Sequence, residues 1–129
     1  MFLGTPEFKF SPYGRGRFKL SVGFCAQVGR YRAYVPNGAI TNGASIPLIF
    51  WPILSPYDPE WFLASVVHDA LVGEFDDPIS VIDVVTGAER QLSWKESAQF
   101  MRELMKCLKA SKWKRHLFYH AIMLKRRIR

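Results

Sequence analysis

His68 and Asp69 stand side by side in the run Ala64-Ser65-Val66-Val67-His68-Asp69-Ala70-Leu71. Read as a helix, this run puts His68 on one stripe with Trp61, Ala64, Ser65, Leu71 and Val72. An imidazole then faces an apolar interior, with two small residues one turn back that leave room for a ligand or a water. A neutral imidazole in such a place is a competent general base once a second group fixes its tautomer. Asp69 points about 100° away around the helix, so it does not orient His68 itself. Its carboxylate suits a hard cation held beside the histidine face. The competing reading is a hydrogen-bonded core histidine next to a surface or capping aspartate.

Thr41-Asn42-Gly43-Ala44-Ser45-Ile46-Pro47 is a second candidate, a polar, glycine-containing loop that feeds the aromatic run Leu48 to Trp51. Such a loop can turn backbone carbonyls toward a cation or backbone N–H groups toward an oxyanion. His116 and His120, four apart, are spaced for two ligands on one helical face. No third ligand follows, and Lys112, Lys114 and Arg115 oppose a cation there. His120 is therefore expected in the core and His116 at the surface.

The elements that position these residues are readable in outline. Phe8–Phe10, Phe18–Phe24 and Tyr31–Val35 carry alternating aromatic or aliphatic residues, and Gly14, Gly16, Gly23, Gly29 and the Pro36-Asn37-Gly38 turn separate them. They predict a small antiparallel sheet. A helix is expected from Asp58 to Val72, with Asp58 as N-cap, Pro59 in the first position and Gly73 as the stop. Ile79–Val85 and Ala88–Leu92 flank Thr86-Gly87 as a hairpin. Ser93-Trp94-Lys95-Glu96 is a capping box. It opens a helix whose Trp94, Ala98, Met101, Leu104, Met105 and Leu108 form one stripe, and the Asp58–Val72 helix is expected to pack on that stripe. A last helix, Lys112 to Lys125, repeats Trp113, Leu117, His120, Ala121 and Leu124 at helical spacing. Three helices and a small sheet predict an α+β fold.

At 129 residues, 49% hydrophobic and 15% aromatic, the chain reads as one domain, 1–129, able to bury roughly two-thirds of its unfolded surface. Its composition excludes a disordered chain. No signal peptide is evident at the N-terminus, and the longest apolar stretch, Ile46 to Leu54, is far too short to span a bilayer. Cys25 and Cys107 are read as buried, reduced thiols. The net charge of +7 is unevenly spread: Asp58 to Glu89 holds eight acids and no Lys or Arg, while Lys109 to Arg129 holds eight basic residues and no acid. Lys112, Lys114, Arg115, Lys125, Arg126, Arg127 and Arg129, interleaved with Trp113, Phe118 and Tyr119, are candidate partner contacts, toward another protein, nucleic acid or an anionic membrane surface.

Taken in order, Thr41-Asn42-Gly43-Ala44-Ser45-Ile46-Pro47, Ala64-x-x-x-His68-Asp69-x-Leu71 and Ala98-x-x-Met101 resemble a family of small proteins of unknown function found in tailed phages and prophages. That family's pattern is T-D-x-A-S-I-P, H-D-x-L-Y and A-D-x-x-F, and the resemblance covers about Val35 to Ile122. The order of loop, His-Asp helix and second helix is also distantly similar to the prokaryotic secreted phospholipase A-two family. That similarity implies His68 as the base that activates water and Asp69 as a calcium ligand. Asn42 and Gly43, in the Asn42–Ser45 loop, would supply further ligands, with calcium stabilising the oxyanion. The pattern is broken in three places. Ala98 stands where the His-orienting Asp belongs, Asn42 replaces the loop Asp, and Val72 replaces the Tyr after H-D-x-L. Loss of the orienting carboxylate typically costs orders of magnitude in rate. Of the possible substitutes, Glu96, Glu103 and the Glu74/Asp76/Asp77 cluster, none is favoured by its spacing.

The expectation is a phage accessory or structural protein of the virion, near the tail. It would keep a degenerate hydrolase-like site, need no cofactor, contact other phage structural proteins, and be made in the host cytoplasm before entering the particle. The first alternative is a calcium-dependent hydrolase of lipid or cell-envelope bonds. The second is a cytosolic protein that binds a ligand around His68.

Overall fold

The computed structural model describes residues 10–14, 17–20, 22–41, 61–75 and 77–128. In chain order the elements are β1 (Phe10–Gly14), β2 (Arg17–Leu20), β3 (Phe24–Val28), β4 (Tyr31–Val35), β5 (Ile40–Thr41), α1 (Phe62–Val72), β6 (Val81–Asp83), β7 (Glu89–Arg90), α2 (Trp94–Cys107) and α3 (Lys112–Ile128). The fold is α+β, as the patterning predicts, but its strands make two antiparallel sheets. One has the order β1-β2-β5 and the other β3-β4-β6-β7. Five of the seven described strands come from the N-terminal third, and β6 and β7 extend the larger sheet from the middle of the chain.

Glycine marks the change of sheet. Leu20 ends β2 and Phe24 begins β3, so the single run read from Phe18 to Phe24 is divided between the two sheets. At Gly23 a Cβ atom would lie 2.8 Å from the carbonyl oxygen of Val35, too close for any side chain. Beyond it, Phe24, Ala26, Ala33 and Val35 alternate inward and are buried, while Tyr34 is exposed on the outer face. Ala26 pairs with Ala33 and Ala33 with Val81, so the middle of the inner face is small. α2 contacts β3 and α1 contacts β4 across it.

The local signals at helix ends hold well. Gly73 adopts the left-handed conformation (φ 69°, ψ 43°) and its N–H donates to the Asp69 carbonyl, ending α1 as predicted. At α2 the Glu96 N–H donates to Ser93 Oγ (3.2 Å), and the Ser93 N–H donates to Glu96 Oε1 (3.0 Å). The start of α1 is different. Trp61 sits in the N-cap position without a side-chain cap, while Asp58, Pro59 and Glu60 lie outside the described residues. The β6–β7 hairpin turns at Thr86-Gly87. Asp83 Oδ1 accepts from the N–H groups of Val85 and Thr86, and Arg30 binds the other carboxylate oxygen at 2.6 Å.

The core lies between the inner face of the larger sheet and the helices. Trp61, Val66, Val67, Val81, Leu104 and Met105 are among its fully buried members. α1 packs on α2, and α3 packs on α2. α3 is held through Phe118, whose ring centroid lies 5.0 Å from that of Trp61, and through the Ile122 carbonyl, which accepts from Trp94 Nε1 at 3.0 Å. The stripe read as the inner face of α3 is thus turned outward. Trp113, Leu117, Leu124, His120 and Ala121 are exposed, and Phe118 with half-buried Ile122 faces the core. His120, expected in the core, is at the surface with His116. The two cysteines are free but not buried as expected: Cys25 is half-buried and Cys107 exposed.

Candidate functional site

α1 carries His68 and Asp69 into the interior together, at 7% and 8% exposure. The His68 ring stands edge-on to Trp94 of α2, with centroids 5.7 Å apart and an interplanar angle of 85°. The His68 stripe therefore meets the α2 stripe at Trp94, one turn before Ala98. Ala98 itself is 0% exposed and brings only a methyl group to the position where the resemblance calls for a carboxylate. Trp94 in turn donates to α3, so it links all three helices. Ser65, one turn before His68, directs its hydroxyl back to the Trp61 carbonyl at 2.9 Å.

Asp69 is neither a surface nor a capping residue. Its Oδ2 accepts a 2.6 Å hydrogen bond from Thr41 Oγ1, 28 positions away and fully buried at the end of β5. That short contact between a carboxylate and a hydroxyl is of the strong class. It fastens the start of the Thr41–Pro47 segment to α1, so two separated motifs meet at one buried point. Asn42 and Gly43, the other implied calcium ligands, lie outside the described residues.

Of the other candidates, Asp76 lies outside the described residues. Glu96 is engaged by the Ser93 N–H and by the Arg90 guanidinium, and Glu103 is exposed. Asp77 lines a cleft of about 310 Å³ with Pro36, Asn37, Gly38, Ala39, Ala70 and Ile79, and neither His68 nor Asp69 lines it. His116 and His120 stack on the surface of α3 with centroids 6.4 Å apart. Among the described residues no group of three or more His, Cys, Asp or Glu side chains is placed to hold a metal ion. Of the candidate partner contacts, Lys112 is exposed. Lys114 lies with Nζ 5.3 Å from the Trp61 ring centroid, and half-buried Arg115 has its Nε buried. The last two thus serve the fold as well as the surface. Lys125, Arg126 and Arg127 fall in the last turns of α3, and Arg129 lies outside the described residues.

Ser97 was not singled out by sequence. It is fully buried beside Ala98, and its hydroxyl has no hydrogen-bond partner among the described residues. Its place in the stripe, three residues after Trp94, is the only signal that could have marked it.

Residues 18–122 match a family described as a protein of unknown function, DUF1353. The chain belongs to the DUF1353 family. The match takes in β2 through most of α3, and so begins earlier than the stretch from Val35 on which the motif resemblance rests. No curated protein and no solved structure matches the chain. Within the matched residues, Thr41 and Asp69 are tied together by their hydrogen bond. No helix among the described residues is long and apolar enough to cross a membrane.

Proposed function

We propose that this DUF1353 protein is a phage accessory or structural module, incorporated in the virion near the tail, whose hydrolase-like His-Asp site has become part of the packing. The observation that carries this reading is Ala98. It is fully buried on the helix that packs against the His68 helix, and it supplies no anion for an imidazolium. Asp69 supports it further, because its carboxylate is drawn toward Thr41 inside the protein. The segregated acidic and basic stretches suit a chain that lies against partners. Mass spectrometry of purified particles tests the reading. The protein should be found in defined copy number after high-salt washing, and its absence from particles of a phage that expresses it would overturn the proposal.

A second reading is favoured by one observation, the bond that brings the Thr41 segment to the His68-Asp69 pair. This reading is a calcium-dependent hydrolase, with His68 as base and Asp69, Asn42 and Gly43 around the ion. It requires another group to do what a carboxylate at position 98 would do.

A further inference from the structure

The packed side of α3 is accounted for by Phe118 and Ile122, yet the opposite side is apolar as well. Trp113 is 57% exposed, Leu117 44% and Leu124 58%, and at 3.6 residues per turn all three fall within one narrow arc. Ala121 lies on the same side and is also exposed. Every charged residue in the sequence of this helix is a cation, Lys112 at its start is exposed, and the chain has no Asp or Glu after Glu103. An apolar stripe with a tryptophan, on a helix whose only charged residues are cations, is the pattern of a helix that lies in the plane of an anionic bilayer surface. The tryptophan suits the headgroup level, the leucines enter the acyl boundary and the cations meet the lipid phosphates.

From this we infer that the outer face of α3 docks on anionic lipid, a property independent of the virion reading. Charge decides between the possible occupants. A second copy placed α3 against α3 would oppose two helices of the same sign. Nucleic acid would satisfy the cations but offer nothing to Leu117 and Leu124. Only a surface that is both negative and apolar beneath answers the whole face.

The experiment is flotation of the full-length protein with vesicles of phosphatidylcholine alone and of phosphatidylcholine containing about one third phosphatidylglycerol. The parent should float with the anionic vesicles and much less with the neutral ones. Leu117→Gln/Leu124→Gln, at exposed positions and so with an unchanged urea midpoint, should bind anionic vesicles at least about tenfold more weakly. Lys112→Glu/Lys125→Glu should weaken binding as well. No binding to anionic vesicles, or equal binding by parent and leucine variant, overturns the inference. So does a parent that binds duplex DNA, or self-associates through this face, without binding vesicles. Those two results would assign α3 to nucleic acid or to a second copy.

Discussion

α2 and α3 are neighbours with the same kind of hydrophobic repeat, and they use it in opposite ways. In α2 the stripe of Ala98, Met101, Leu104 and Met105 is buried against α1 and the sheet. In α3 the stripe of Trp113, Leu117 and Leu124 faces outward, and the helix is anchored instead by Phe118 and Ile122 from its other side. Periodicity finds an apolar face but does not say what the face is against. In α2 one capping box and one stripe settle the orientation. In α3 two apolar sides compete. The side chosen is the one whose aromatic ring reaches Trp61 and whose backbone carbonyl reaches Trp94, both contacts that no local pattern encodes.

This contrast predicts unequal effects of similar substitutions. Leu104→Ala removes a fully buried side chain and should lower the unfolding free energy by about 2–5 kcal/mol in urea titrations. Leu124→Ala should change it by less than about 0.5 kcal/mol. Equal losses at the two positions would mean that α3 packs its outer stripe in solution. Next in size is the Thr41–Asp69 bond. Thr41→Val keeps the shape but removes the donor to a buried carboxylate, and should cost about 1–3 kcal/mol by the same titration. A cost near zero would show that Asp69 is satisfied without Thr41 and that the two motifs are not fastened there.

The smallest effect belongs to the surface of the larger sheet. The hydrogen bond from Arg30, together with the N–H groups of Val85 and Thr86, holds the Asp83 carboxyl below its usual 3.8, at about 2. A lowered folded-state value means that the stabilisation is fully present above about 3.8 and is lost as pH falls through about 2. Asp83→Asn should therefore lower stability modestly at neutral pH and flatten the acid limb between those values, so that the two proteins converge below about 2. The pair is exposed on the Arg30 side, so the change should be modest. An unaltered acid limb would remove the Arg30–Asp83 tie from the account.

How far the sequence could be read follows from the range of the interactions. The Ser93/Glu96 cap, the Gly73 stop and the Thr86-Gly87 turn are decided within a few residues, and each is legible there. The packing of α1 on α2 is legible too, because each helix offers one stripe and His68 and Trp94 lie on them. The entry of β6 and β7 into the sheet of β3 and β4 was not legible, since strand pairing over such separations leaves no local mark. For the same reason Asp69 could not be seen to be buried: its partner Thr41 is 28 positions away, and the 100° offset from His68 points only to a different side of the helix. Ala98 is the reverse case. Its significance is visible from the motif order, and its full burial bears on how much another group could take its place.

Hydrolysis of a short-chain phospholipid, with and without calcium, by the natural protein and by His68→Ala tests most directly whether the His68-Asp69 pair is packing or catalysis. With Ala98 where an orienting carboxylate would have to be, the account predicts equal and negligible turnover in both proteins under both conditions. Robust calcium-dependent turnover that disappears in a folded His68→Ala protein would contradict it and make the pair a working active site.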